Sequence, residues 1–266
     1  MNNKSFEQAL RRENYAENTI LAYKYAVKEF RERYRVLNKE NLLQYKIYLI
    51  DSFKPRTANQ RIRALNKYVD FLGKPHLKIK GVKMPKGSFL DNVISNEDYK
   101  FFKQRLRERS DLRWYFAVWI MAATGVRVSE LLKIRVEHIR MGFVDLYSKG
   151  GKMRRIYIPA RLRTEAVVWL KDRALGPVFL NSNGRPITAR GLSKYLKLYA
   201  VEYGLDPTVV HPHSFRHLFA KNFLRKSNDI VLLSDLLGHD TVETTRIYLQ
   251  RSSREQRDLI NHLVDW

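Results

Sequence analysis

Near the C-terminal end of the sequence, two histidines, an arginine and a tyrosine fall in a fixed order. His213-Ser214-Phe215-Arg216-His217 is followed by Leu237-Gly238-His239 and, nine residues on, by Tyr248. Upstream, Arg127 lies in Ala123-Thr124-Gly125-Val126-Arg127-Val128-Ser129-Glu130-Leu131-Leu132, and Lys149 in Tyr147-Ser148-Lys149-Gly150-Gly151-Lys152. These residue types supply a phosphate clamp, a proton donor and a phenolic nucleophile. Enzymatic cleavage of a phosphodiester needs a nucleophile in line with the leaving oxygen. It also needs cations to spread the transition-state charge and an acid to protonate the departing 5′ oxygen. A tyrosine that attacks phosphorus stores the bond energy in a covalent link, so strand cutting and resealing would require neither metal nor ATP.

Each residue also has a plainer role to weigh. Tyr248 is one of 15 tyrosines, and a phenol titrates near pH ~10, so it needs help to lose its proton. Asp240 is expected to cap the helix that carries it, with Glu243 reaching back in a capping box. Arg127 and Arg216 offer forked donors that match two phosphate oxygens and stay charged at any working pH. Glu130, three residues after Arg127, is placed to orient that guanidinium. A surface Arg–Glu pair would be worth under ~1 kcal/mol, but Arg127 sits in an apolar stretch, where a charge without purpose is costly. Lys149 and Lys152 flank the glycines of one turn, and the residues alone do not decide which is the acid. His213 and His217 share an i, i+4 face that could hold a metal. No nearby carboxylate or thiolate completes such a set, and the His-Glu-x-x-His pattern is absent, so no metal is expected. His211 and His217 are expected to be structural. There is no Gly-x-x-x-x-Gly-Lys-Ser/Thr loop and no tight carboxylate cluster, which argues against ATP hydrolysis and a two-metal nuclease.

The elements that position these groups are mostly helical. Asn18-Thr19 is expected to cap a helix bearing Ile20, Tyr23, Val27 and Phe30 at three- and four-residue spacing. Leu42, Leu43, Tyr45, Ile47, Tyr48 and Leu49 mark a second helix. Pro55-Arg56-Thr57 opens a third, with Ile62, Leu65, Tyr68, Val69 and Leu72 on one side and Arg56, Arg61, Arg63 and Lys67 on the other. Gly73-Lys74-Pro75 ends it. Lys74, Lys78, Lys80, Lys83 and Lys86 then punctuate a Pro/Gly-containing stretch without an acidic residue, read as a basic linker. Beyond it, Ser95-Asn96-Glu97-Asp98 reads as a helix start and Trp114–Ala123 as a buried apolar segment. Strands are expected at Gly142–Tyr147 and Arg155–Ile158, where alternation and β-branched residues appear, with Lys149 in the turn between them.

Charge and composition limit the partners. The 266-residue chain carries 50 Lys and Arg against 27 Asp and Glu, a formal net charge of +23. The excess is spread, since residues 1–87 already hold 20 basic and 8 acidic residues. Such a field attracts a polyanion, and duplex DNA offers one charge per ~1.7 Å. No apolar run approaches the ~20 residues of a membrane span, and no single basic amphipathic helix favours a membrane surface. The N-terminus lacks the apolar core of a signal peptide. With no cysteine there is no disulfide framework and no thiolate site. The expected location is the cytoplasm, at the nucleoid.

The order Arg…Lys…His-x-x-Arg…His…Tyr resembles the active site of the tyrosine recombinases, the phage-integrase and Xer-type family. The wording ATGVRVSELL, HPHSFRH and LLGHDTVETTRIY is similar to the family's motif boxes. The resemblance implies a mainly α fold with a small β-sheet, arranged as a two-domain C-shaped DNA clamp. Residues 1–74 would be a helical core-binding domain, 75–90 the linker, and 91–266 the catalytic domain with a C-terminal docking tail through Leu259, Ile260, Leu263, Val264 and Trp266. It also implies that Tyr248 is the nucleophile and Arg127 and Arg216 the clamp. Lys149 would be the general acid, His213 would assist proton movement, and His239 would bond a phosphate oxygen. Arg56, Arg61, Lys67, Lys152, Arg154 and Arg155 would contact DNA. The reaction would run without cofactor through a 3′-phosphotyrosine and a Holliday junction, on paired inverted sites held by a homotetramer, with accessory proteins in some systems. No N-terminal arm-binding domain is visible, which fits a Xer-like or mobile-element enzyme. The alternatives are a type IB-like topoisomerase and a non-catalytic DNA-binding accessory protein. A generic RNA binder lacks the expected aromatic signature.

Overall fold

The computed structural model describes residues 3–84, 93–147 and 153–249, together with 257, 260, 261 and 264. Lys86, Lys149 and Lys152 lie outside the described residues, as do the tail residues Leu259, Leu263 and Trp266. The chain divides into two compact units, Met1–Lys86 and Gly87–Trp266.

The first unit is built from α1 (Asn3–Arg12), α2 (Glu17–Arg33), α3 (Lys39–Ser52) and α4 (Pro55–Phe71). Helix α2 begins earlier than Asn18-Thr19. Ala16 takes the N-cap position without a side-chain bond, and Glu17 fills the first turn, where negative charge suits the helix dipole. Asn38 caps α3 by accepting from the Asn41 N–H, and Pro55 opens α4 at the position where a missing N–H costs nothing. Phe6, Ile20, Phe30, Tyr45, Ile62 and Leu65 are among the residues that close a core between these helices.

Part of the stretch read as a linker belongs to this unit. After a 3-10 turn at Pro75–Leu77, Leu77 and Ile79 enter the core. Two α4 asparagines then clasp the backbone in both directions. Asn66 accepts from the Ile79 N–H at 3.0 Å and donates to the Ile79 carbonyl at 2.9 Å. Asn59 does the same with Val82 at 2.7 and 2.8 Å.

The second unit carries α5 (Asn96–Arg107), α6 (Arg113–Thr124), α7 (Val128–Leu131) and α8 (Val136–Met141), then strands β1 (Phe143–Tyr147) and β2 (Met153–Tyr157). It continues through α9 (Ala160–Trp169), α10 (Ala189–Glu202), α11 (Pro212–Ser227), α12 (Ile230–Leu237) and α13 (Val242–Thr245), ending in a 3-10 turn at Arg246–Leu249. Ser95 caps α5 by accepting from the Asp98 N–H at 2.9 Å. Helix α6 is buried on nearly every side, which explains its continuous apolar sequence. It packs along α11, whose first turn is tied down where Ser214 Oγ accepts from the Ile94 N–H at 2.7 Å. The strands pair antiparallel, Phe143 opposite Tyr157 and Tyr147 opposite Met153. Along β2, Arg154 and Ile156 face inward, while Met153, Arg155 and Tyr157 are exposed. The architecture is thus mainly helical with one small sheet, as expected.

Candidate active site

Two left-handed glycines bring the ends of α6 and α12 onto α11. Gly125 closes α6 at φ 64°, and a Cβ there would lie 2.5 Å from the Phe219 ring and 2.8 Å from Leu237. Gly238 closes α12 at φ 61°, and a Cβ there would lie 2.5 Å from Arg154 Cδ. Only glycine allows both the backbone angle and the approach.

Arg216 reaches between these ends from α11 and is 2% exposed. Its Nη1 donates to the Gly125 carbonyl at 2.7 Å, and its Nη2 to the Leu237 carbonyl at 2.9 Å. The same Nη2 lies 2.9 Å from His239 Nε2. Burial, followed by the nearby Arg127 charge, pulls its pKa down to about 10, so it stays cationic at neutral pH. Arg127 stands at the N-cap of α7 with its side chain partly open to solvent. It donates from Nη2 to the Gly238 carbonyl at 3.1 Å and from Nη1 to Glu130 at 3.0 Å. Glu130 also accepts from the Arg127 backbone N–H at 2.8 Å, so one carboxylate fixes both the helix start and the guanidinium.

A guanidinium can only donate, so His239 Nε2 accepts from Arg216 and the ring proton sits on Nδ1. That nitrogen donates to Thr245 Oγ1 at 2.8 Å. Burial, then the neighbouring arginines, lowers the His239 pKa to about 4, which keeps the ring neutral. Tyr248, only 5% exposed, lies nearly parallel to His239, with ring centroids 6.2 Å apart. Burial raises its phenol pKa, while the charge and hydrogen bond of Arg216 pull the other way. His217 packs 5.2 Å from the Tyr248 ring and 4.4 Å from His213.

Arg127, Arg216, His239 and Tyr248 therefore form one continuous cluster, and the family pattern for phage integrases matches residues 92–255 around it. The chain belongs to the phage integrase family. It is a tyrosine recombinase, similar over most of its length to proteins of that name. A tyrosine recombinase XerD of Halalkalibacterium halodurans is 30% identical over 247 residues, covering 86% of this chain and 82% of that one. The XerD of Staphylococcus haemolyticus is 32% identical over 152 residues, 53% of this chain and 51% of that one. In fold, the chain matches a XerH recombinase bound to a palindromic difH substrate with a TM-score of 0.77 and 20% identity, covering 100% of this chain and 85% of that one.

The recombinase departs from the sequence reading in several contacts. Arg154, expected on backbone phosphates, is 8% exposed; it pairs with Glu130 and donates to the Leu236 carbonyl. Its inward direction follows from the strand alternation that also buries Ile156. Arg61, expected on the DNA side of α4, is turned into the unit beside Glu29, and Lys67 pairs with Glu13. Arg155 bonds Asp145 at 2.7 Å while remaining partly exposed, and Arg56 is exposed. No capping box forms at Asp240, because Thr241 is the N-cap of α13 and Glu243 pairs with Arg246 at 3.1 Å. His213 is exposed one turn before His217. His211 caps α11 by accepting from the Ser214 N–H at 3.1 Å, which is a structural role. His217, expected to be structural, packs against the Tyr248 ring, and its Nδ1 is enclosed without a hydrogen-bond partner. Thr245, fully buried and fixing the His239 tautomer, was not singled out from sequence. The signal available was its position three residues before Tyr248, at the end of α13 where the chain passes into the 3-10 turn. Among the described residues no group of His, Asp and Glu is placed to hold a metal, and no helix is long and apolar enough to cross a membrane.

Proposed function

We propose that this recombinase cuts and rejoins duplex DNA at defined paired sites through a 3′-phosphotyrosine. Tyr248 Oη attacks phosphorus, and the P–O5′ bond breaks with its electron pair leaving on the 5′ oxygen. Lys149 gives that oxygen a proton, and His213 assists removal of the phenolic proton. Arg127 and Arg216 spread the charge on the non-bridging oxygens. The negative charge of a bound phosphate raises the pKa of His239, allowing its ring to donate to a phosphoryl oxygen. Reversal by a 5′ hydroxyl from the partner site rejoins the strand. Two such rounds through a Holliday junction, by four protomers on two inverted sites, exchange the duplexes.

The observation that carries this reading is the unbroken run of contacts from Arg127 through the Gly238 turn to Arg216, His239 and Tyr248. Because Tyr248 is covered in the free chain, attack requires the 242–249 segment to shift and bring its ring out to the phosphate. For DNA contact, the pattern of ion pairs favours Arg56 and Arg63 over Arg61 and Lys67. The former two line a groove of about 570 Å³ with Gln60, Thr19, Tyr23 and Met84. Arginine and glutamine there are suited to base edges as well as phosphates.

The test is a covalent trap on nicked duplexes drawn from DNA flanking the gene. Wild-type protein is expected to give a slow, protease-sensitive DNA band on a denaturing gel, and Tyr248→Phe to give none. DNA binding and synapsis by wild-type protein without that band would favour an accessory protein instead.

A further inference from the structure

We propose that Arg154 is a positioning residue of the cleavage site, holding Arg127 in place through Glu130 and fixing the turn that presents His239. This rests on the recombinase reading above. Three arginines take three consecutive carbonyls at the end of α12. Arg154 donates to Leu236, Arg216 to Leu237 at 2.9 Å, and Arg127 to Gly238 at 3.1 Å. His239 is the next residue. The helix-terminal carbonyls, which no intrahelical donor satisfies, are thus satisfied by side chains that must also be ordered for catalysis.

Arg154 differs from the other two in what it can reach. Both terminal nitrogens are committed, one to Glu130 and one to Leu236. Its Nε is enclosed without a partner, and Gly238 packs directly on its Cδ and Nε. It therefore acts on the phosphate only through its neighbours. The neighbour that matters is Glu130, whose two oxygens serve Arg127 twice and Arg154 once. Burial alone would raise the Glu130 carboxyl, yet its Arg127 and Arg154 partners hold it low, so it stays an anion between them. Without Arg154, the carboxylate gains freedom to swing, and the Arg127 fork moves with it. Arg154 also enters from β2, so this strand is tied to the clamp.

The experiment measures covalent-complex formation by the full chain on two nicked duplexes, one with the normal 5′ oxygen and one with a bridging 5′ sulfur. A thiolate leaves without a proton, so the sulfur substrate repairs a missing general acid but not a displaced clamp. Arg154→Met is expected to be about 100-fold slower on both substrates, the scale of a small misplacement of a reacting group. Adding Arg127→Ala to Arg154→Met is expected to cost much less than the product of the two single losses, because the part of the Arg154 effect that runs through Arg127 is already gone. Arg154→Lys, which keeps charge and most of the stem, carries the same measurements should Arg154→Met not fold, with a smaller loss expected. A merely structural role would lower the active fraction and the melting temperature but leave the two losses multiplicative. Wild-type rates in a folded Arg154 variant, rescue by sulfur, or multiplicative losses would each overturn the proposal. Absence of any covalent band with wild-type protein on either substrate would count against the recombinase reading itself.

Discussion

At the scale of single residues, the site concentrates positive charge and then keeps His217 and His239 neutral. Burial, reinforced by surrounding histidines and Arg216, lowers the His217 pKa to about 4, against an ordinary value of 6.5. A histidine whose pKa is lower folded than unfolded binds fewer protons when folded, so stability is lost as pH falls between those values. His239 behaves in the same sense. Melting temperature is therefore expected to fall as pH drops from about 6.5 towards 4, and His217→Leu is expected to flatten part of that slope. Unchanged pH dependence in a folded His217→Leu chain would remove His217 as a contributor. That Arg127, Arg216, His239 and Tyr248 come together was legible because their order and spacing match the motif boxes of the family. The tautomer of His239 was not, since it depends on which side chain faces each ring nitrogen, here Arg216 and Thr245.

At the scale of elements, apolar spacing located α2 to α4, a cap signal and a continuous apolar run located α5 and α6, and strand alternation located β1 and β2. What failed to show were contacts between positions far apart in sequence. Arg61 meets a partner 32 residues away and Lys67 one 54 residues away, so a cationic face read from α4 alone does not show which of its cations are already paired. The clasped segment after α4 was hidden in the same way, because basic residues and prolines look like a solvated connector. Leu77 and Ile79 provide too short an alternation to reveal burial. Asn59 and Asn66 supply what those two apolar residues cannot, each pairing the backbone N–H and carbonyl of one residue with a single side-chain amide. Replacing either by Ala leaves a backbone N–H and carbonyl without partners. Each change is expected to destabilise the first unit by about 1–3 kcal/mol, measured as a lower urea midpoint at unchanged slope. An unaltered midpoint would mean that water replaces the clasp at no cost.

At the scale of the whole molecule, a net charge of +23 ensures attraction to DNA but does not say which cations do the work. Ion pairing divides them. A cation that stays with its carboxylate neutralises no phosphate and releases no counterion from DNA, whereas a free one releases about one per phosphate it neutralises. Arg61 belongs to the first class, with its side chain 14% exposed beside Glu29 and a Tyr45 hydroxyl that donates to the same carboxylate at 2.7 Å. Arg56 and Arg63 belong to the second, since no ion pair of either is found among the described residues. Titrations with a cognate duplex at several salt concentrations separate the two. Arg56→Ala and Arg63→Ala are each expected to weaken binding and to reduce the slope of log K against log salt by about 1. Arg61→Ala is expected to leave the slope as it was and to lower the urea midpoint instead, because Glu29 and Tyr45 lose their buried cation. If Arg61→Ala changed the slope as much as the others, its pairing with Glu29 would have to open on DNA. The basic face of α4 would then be a reserve of charge exchanged between carboxylate and phosphate, rather than a division of labour between folding and binding.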